Sequence, residues 1–267
     1  MILKKPFVLS GGGARGYAHL GVIQALSERG IVPSAISGTS AGAIIGAFLA
    51  NGYTVAEIRQ RISATFRPSR LPWVEIAKGI YTLKNLDDFL QANLKITRFE
   101  DLPIRLHVTA TNYNDGRQKI FSSGSIIDAV LAATSIPLLF PPTIIDEVPY
   151  VDGGLSNNLP VEPFSHHKGE MVCVHVNPVK NYVATNDPVA TLDRTLHLIT
   201  RGIVHRSVSE CFLFVEPPQL SDHGIFDFHQ LDEIYAIGYE YANTMDLTPP
   251  LPSLSFWERV ERILNRS

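Results

Sequence analysis

The sequence predicts an α/β fold with a mainly parallel sheet and helices on its faces. Short apolar strands and helical segments alternate in the first quarter of the chain. Strands are predicted over residues 6–10 and 35–38, and helices over 17–28 and from Ala41 onward. Glycines separate these segments, as expected where a strand turns into a helix. This succession is typical of a parallel sheet covered by helices.

The remaining segments extend the same pattern. Thr54 and Glu57 form a capping-box pattern that opens a further helix. Asn114-Asp115-Gly116 marks a tight turn between two paired strands, and Asp146-Glu147 marks another turn. Further strands are predicted over 105–111, 118–122, 171–176 and 212–215, and helices over 126–133, 189–207 and 231–243.

Composition excludes several classes of protein. The chain has 267 residues, 45% hydrophobic, with a formal net charge of -3. A nucleic-acid binder is usually basic, so that class is not expected.

No apolar run reaches the roughly 18–20 residues of a membrane span, and the N-terminus is too short in its apolar part for a signal peptide. We therefore expect a cytoplasmic protein. We also expect no metal site, and we expect Cys173 and Cys211 to be buried and not bonded to each other.

Gly38-Thr39-Ser40-Ala41-Gly42 is a G-x-S-x-G motif between a predicted strand and a predicted helix. In this context the motif forms a tight turn that exposes a serine hydroxyl at the top of a sheet. Gly38 and Gly42 leave room for the turn, and the helix that follows favours negative charge near the serine. The motif predicts that Ser40 is a nucleophile.

A second motif, from Gly11 to Gly16, fits G-x-G-x-x-G between a strand and a helix. It therefore raises the alternative of a dinucleotide site. That site needs an acidic residue after the second strand, yet residues 30–56 contain no Asp or Glu. The glycines better suit an oxyanion site, because Gly11, Gly12 and Gly13 let bare backbone N–H groups approach a substrate. Arg15 either adds positive charge, binds a phosphate or braces the loop through an ion pair.

A serine nucleophile needs a base, and the nine histidines show no strong local pattern. One acid stands out, because Asp152 follows a strand-like segment and precedes Gly153 and Gly154. Taken alone, however, Asp-Gly is an ordinary turn sequence.

The order GGGARG, GTSAG, a proline-rich block and DGG resembles the patatin-like phospholipases. Ala133-Thr134-Ser135-Ile136-Pro137, Phe140-Pro141-Pro142 and Asn157 or Asn158 with Pro160 extend the resemblance, which covers roughly residues 7–243. It implies a three-layer α/β/α fold over a domain of residues 1–247. A proline linker and an amphipathic helix would follow in residues 248–267.

By this resemblance, Ser40 and Asp152 form a catalytic dyad and Gly11, Gly12 and Gly13 form the oxyanion loop. The family acts on acyl lipids and esters and needs no cofactor. Many members have DGA where this chain has DGG at Asp152-Gly153-Gly154, a difference that we expect to be mild.

Two other hypotheses stay open at this point. One is a Ser-His-Asp esterase, which could use any histidine after Asp152. The other is a nucleotide-binding or regulatory module without catalysis. Residues 66–90 are expected to form a helical excursion over the site, and the C-terminal helix could contact a membrane surface. The sequence does not specify an oligomeric state.

Overall fold

The computed structural model describes residues 2–65, 83–181, 184–186 and 188–247. Its strands are β1 (Leu3–Leu9), β2 (Ile31–Thr39), β3 (Arg105–Asn112), β4 (Gln118–Phe121), β5 (Thr143–Ile145), β6 (Val148–Asp152), β7 (Met171–Val174) and β8 (Cys211–Val215). Its helices are α1 (Ala18–Glu28), α2 (Ala41–Ala50), α3 (Val55–Thr65), α4 (Leu83–Asn93), α5 (Ile126–Thr134), α6 (Pro188–Val208) and α7 (Leu231–Thr244).

The eight described strands form one sheet in the order β5-β6-β3-β2-β1-β7-β8, with β4 paired to β3. The strands β3, β2, β1, β7 and β8 run parallel, and β4, β5 and β6 add antiparallel pairs at one end. The mainly parallel sheet predicted from the sequence is confirmed. None of the helices in the described ranges is both long and apolar enough to cross a bilayer.

Helices and loops cover both faces of the sheet. Side chains of β1 alternate between the faces, as the period of a strand requires. Phe7 and Leu9 enter the larger core with residues of α1, α2 and α5, whereas Val8 packs on the other face against Phe164 and against Val204 of α6. The three-layer arrangement implied by the resemblance is therefore confirmed.

Most predicted elements appear within a few residues of their expected bounds. The clearest difference is β2, which begins at Ile31 instead of residue 35, because Leu3 to Lys5 of β1 pair with Ile31 to Pro33. The capping box at α3 is confirmed: the Thr54 N–H donates to Glu57 Oε2 over 2.8 Å, and the Glu57 N–H donates to Thr54 Oγ1 over 3.3 Å.

The expectation of two unbonded cysteines is wrong. Cys173 on β7 and Cys211 on β8 form a disulfide, with their Cα atoms 6.1 Å apart. The two strands are neighbours in the sheet, a pairing that places distant residues at bonding range. The linker and amphipathic helix expected in residues 248–267 lie outside the described residues, as do residues 66–82 of the expected excursion.

Candidate active site

Ser40 occupies the turn between β2 and α2. Its backbone has φ 51° and ψ -121°, a conformation that side-chain-bearing residues rarely adopt. The helix begins at the next residue, so its N-terminal end lies beside the serine hydroxyl. The structure therefore places Ser40 in the strand–turn–helix context that G-x-S-x-G predicts.

The two outer glycines of this motif are required by close backbone contacts. A Cβ on Gly38 would lie 2.5 Å from the carbonyl oxygen of Gly42, and a Cβ on Gly42 would overlap the carbonyl oxygen of Leu9. Neither backbone oxygen can move without disturbing the sheet or the turn. Small residues on both sides of Ser40 are thus a packing requirement of the turn.

The register of β3 brings Asp152 to Ser40. Thr39, the last residue of β2, pairs with Thr109 of β3, and Asp152, the last residue of β6, pairs with the next residue, Ala110. Because β2 runs parallel to β3 and β6 runs antiparallel to it, the C-terminal ends of β2 and β6 lie at neighbouring positions on either side of β3. The nucleophile candidate follows the end of one strand, and the acid lies at the end of the other.

Asp152 is buried, with 5% of its surface exposed. Burial raises the pKa of its carboxyl from 3.8 to about 6, and hydrogen bonds from the Ser40 side chain and from the Gly154 N–H oppose this rise. The Gly154 N–H donates to Asp152 Oδ1 over 2.7 Å. A Cβ on the intervening Gly153 would overlap the carbonyl oxygen of Thr109, so this position also requires glycine.

The glycine loop follows β1 and leads into a short 3₁₀ helix, Gly13–Tyr17. The Gly11 N–H donates to Asn158 Oδ1 over 3.1 Å, and the Ala14 N–H donates to the Ile225 carbonyl over 2.8 Å. Within the described part of the chain, the N–H groups of Gly12 and Gly13 have no hydrogen-bond acceptor. Of the three glycines expected to donate to an oxyanion, only these two retain an available N–H group.

Arg15 and Gly16 connect the loop to its surroundings. Arg15 is buried, and its Nη2 lies 3.4 Å from Nε2 of His197 on α6. A Cβ on Gly16 would overlap the Cβ of Ala41, the residue after the candidate nucleophile. Gly16 thus lets the loop pack directly against the turn that holds Ser40.

An apolar cavity of about 170 Å³ opens onto Ser40. Gly13, Ala14 and Gly16 of the glycine loop, together with Ala41, form one side of it, next to Ser40. Its remaining wall is mostly apolar and includes Ile44, Ile45, Ile62, Leu83, Leu86, Ile136, Phe140, Ile225, Phe226, Phe228 and Leu231. The contribution of Leu83 and Leu86 shows that the described end of the expected excursion borders the site.

No histidine lines this cavity among the described residues, which include all nine histidines. The histidines after Asp152 make contacts elsewhere: His175 Nδ1 lies 2.6 Å from Glu216 Oε1, and His223 Nδ1 lies 2.9 Å from Gln230 Oε1. His19 is fully buried, and its Nε2 lies 2.8 Å from the carbonyl oxygen of Ser10. Burial lowers the pKa of His19 to about 4.

Two asparagines join the site without having been predicted from local sequence. Asn158 contacts Gly11, as described above, and Asn177 Nδ2 donates to the carbonyl oxygen of Gly11 over 2.7 Å. The family resemblance includes Asn157 or Asn158 but implies no role for either. Asn177 follows a buried strand, and a polar residue at a strand's carboxyl end is the one signal that could have indicated it.

Several known proteins are similar in sequence or fold to this chain. The family model described as "Patatin-like phospholipase" matches residues 7–165, more than half of the chain. An uncharacterized NTE family protein of Mycobacterium tuberculosis is 37% identical over 174 residues, covering 62% of this chain and 29% of the relative. Lysophospholipase NTE1 of Saccharomyces cerevisiae is 29% identical, covering 88% of this chain and 16% of the relative.

These curated relatives are much longer, since this chain spans less than a third of either. Among solved structures, VipD from Legionella pneumophila superposes with a TM-score of 0.53 at 19% identity, covering 89% of this chain and 66% of that one. This likeness supports the fold. Because this family model matches residues 7–165, a range that includes Ser40 and Asp152, the chain belongs to the patatin-like phospholipase family.

Proposed function

We propose that this protein is a serine acyl hydrolase that cleaves carboxylic esters of lipids. The observation that carries the proposal is the meeting of Ser40 with a buried Asp152 at the edge of an apolar cavity. An activated serine needs a base within reach, and an acyl chain needs an apolar pocket. Here the candidate base and the apolar pocket both adjoin Ser40.

In the proposed mechanism, Ser40 Oγ attacks the ester carbonyl carbon while Asp152 accepts the hydroxyl proton. The carbonyl oxygen becomes an oxyanion, to which the N–H groups of Gly12 and Gly13 donate, next to the positive end of α2. The tetrahedral intermediate then expels the alcohol, which takes the proton from Asp152. An acyl group remains on Ser40.

The second half of the reaction repeats these roles with water. Asp152 takes a proton from a water molecule, which attacks the acyl carbonyl. The intermediate expels Ser40 Oγ, which regains the proton, and the carboxylic acid leaves. A carboxyl whose pKa is about 6 suits this task, because it is ionised at neutral pH yet more basic than an exposed aspartate.

The cavity supports acyl lipids as the substrate class. Its wall next to Ser40 is apolar and carries no charged side chain among the described lining residues. Burying an acyl chain there would gain about 0.8 kcal/mol for each CH₂ removed from water. The scissile ester would then lie at Ser40, where the apolar wall meets the glycine loop.

The loop between α5 and β5 supports contact with a lipid surface. Residues 136–145 carry no charge, and the ends of the loop are tied by a 2.9 Å hydrogen bond between Ser135 Oγ and Thr143 Oγ1. Ile136 and Phe140 line the cavity, whereas Leu138 between them is 89% exposed at φ 71°. An exposed apolar side chain beside the cavity suits insertion among lipid tails.

Labelling with a fluorophosphonate probe tests the proposed nucleophile. The wild type should react, and Ser40→Ala should not. Ser37→Ala is the matched control, because Ser37 is a buried serine on β2, the strand that leads to Ser40, and its hydroxyl has no partner in the described residues. Labelling that persists in Ser40→Ala would contradict the assignment, and a wild type that neither reacts nor hydrolyses esters would contradict the proposed function.

A further inference from the structure

Gly11 is held from both sides by buried asparagines. Its N–H donates to Asn158 Oδ1 over 3.1 Å, and its carbonyl accepts from Asn177 Nδ2 over 2.7 Å. Asn158 is 5% exposed and Asn177 is 1% exposed. These two side chains, here called the asparagine clamp, come from segments that follow two different strands of the sheet.

The clamp fixes both peptide planes that meet at Gly11. The Gly11 N–H belongs to the peptide before this residue, and the Gly11 carbonyl belongs to the peptide after it. The same second peptide carries the Gly12 N–H, which points opposite to the carbonyl because the peptide is planar and trans. When Asn177 holds the carbonyl, it therefore also sets the direction of the Gly12 N–H.

A glycine loop needs such support. Glycine has the greatest backbone freedom of any residue, so an unsupported loop would sample many orientations of its N–H groups. Stabilisation of an oxyanion depends on donors that are already oriented before the reaction. The clamp also lies close to the nucleophile, since a Cβ on Gly11 would lie 2.6 Å from Asn158 Oδ1 and 3.0 Å from the Cβ of Ser40.

Asn177 carries a stability cost that points to function. Its Oδ1 is buried and has no hydrogen-bond partner among the described residues. A buried polar atom without a partner destabilises the folded state, whereas an apolar side chain of similar size would not. The Gly11 carbonyl would keep a second donor without Asn177, because Ser10 Oγ lies 3.0 Å from it.

We propose that Asn158 and Asn177 are positioning residues that orient the oxyanion donors of the glycine loop. The inference rests on the proposed function, and it adds two residues that act through Gly11 and not on the substrate. Loss of either side chain should lower the rate of the chemical step and leave substrate binding nearly unchanged.

The test compares Asn177→Leu and Asn158→Leu with wild type on a soluble short-chain ester at pH 8. We expect kcat to fall about 10- to 100-fold, as for a displaced catalytic group, with KM changed by less than about threefold. The acidic limb of the pH profile should stay at about 6, because Asp152 is untouched. The melting temperature of Asn177→Leu should not fall.

Asn51→Leu is the matched control, because Asn51 is also a buried amide, 6% exposed, but bonds to Ala47 and Ile96 outside the cavity. It should lose stability and keep its kcat. An active wild type with unchanged kcat in both clamp variants would overturn the clamp alone. If one variant fails to fold, the other decides, and an inactive wild type would overturn the proposed function and the clamp together.

Discussion

Asp152 lies beside Ser40 because their strands end at consecutive positions along β3. Thr39 pairs with Thr109, and Asp152 pairs with Ala110. A shift of β6 by one residue would turn the Asp152 side chain to the opposite face of the sheet. The proposed dyad thus depends on a strand register.

The rate of ester hydrolysis should depend on a group with a pKa of about 6. Burial raises the pKa of Asp152 to this value, and only the ionised form can accept the Ser40 proton. We expect kcat/KM to rise from pH 5 to pH 7 and then level off, as measured in a pH–rate profile. His19→Gln and His197→Gln should show the same rise between pH 5 and pH 7. Loss of this rise in either variant would favour a histidine as the base.

Asp152→Asn should nearly abolish turnover, by about 10²–10⁴-fold as expected for a general base. Serine-directed labelling should fall with it, while the far-ultraviolet circular dichroism spectrum should stay unchanged. A variant that retains turnover would show that Asp152 is not the base.

The same change should stabilise the protein at neutral pH. The folded pKa of Asp152 exceeds its unfolded value. The protonated carboxyl therefore favours the folded state below about pH 4, and this stabilisation is lost as the pH rises to about 6. At pH 8, the ionised carboxyl lowers the free energy of unfolding by an amount on the order of 3 kcal/mol. Urea unfolding should therefore show Asp152→Asn to be more stable than wild type at pH 8, with a smaller difference at pH 4. An equal gain in unfolding free energy at pH 4 and pH 8 would show that the stabilisation does not come from removing the ionised carboxyl.

Alanine at the two glycines after Asp152 should have opposite outcomes. A Cβ on Gly154 would lie 3.0 Å from Asp152 Oδ1 and 3.3 Å from Asn158 Oδ1, so small shifts could accommodate it. A Cβ on Gly153 would overlap the backbone oxygen of Thr109, which cannot move freely within the sheet.

We expect Gly154→Ala to retain activity within about threefold. Gly153→Ala should lose about 1–3 kcal/mol of unfolding free energy, the usual cost of overpacking, together with most of its activity. Thermal unfolding and ester hydrolysis measure both effects. Similar behaviour of the two variants would show that the turn adapts to either change.

Leu138→Asp should reduce hydrolysis of phospholipid in vesicles and spare hydrolysis of a soluble short-chain ester. The side chain is 89% exposed and so contributes little to folding, but a charge there would oppose insertion among lipid tails. Tyr113→Asp, at a residue that is 55% exposed on the turn after β3, is the control and should spare both activities. Equal loss on both substrates in Leu138→Asp would contradict a role at the lipid surface.

Local physical chemistry explains which features could be predicted from the sequence. The turn at Ser40 needs small residues at fixed offsets, the helix at α3 needs a capping box, and each strand needs a short apolar run. These requirements concern neighbouring residues, so they leave a pattern in the chain. The assignment of Asp152 needed the family resemblance, because Asp-Gly alone is an ordinary turn.

Long-range pairing explains the features that the sequence did not reveal. Cys173 and Cys211 bond because β7 and β8 are adjacent in the sheet, which neither local pattern indicates. Asn158 and Asn177 reach Gly11 across the ends of different strands, and asparagine is common in turns without any such role.

The sequence by itself determined the strand–turn–helix at Ser40, the glycine loop and the order of the elements, because each depends on steric limits within a few residues. Only the tertiary structure decided which acid meets the serine, which glycine N–H groups remain available and what lines the cavity. Those outcomes depend on strand register and on contacts between residues far apart in the chain, which close packing fixes once the sheet has formed.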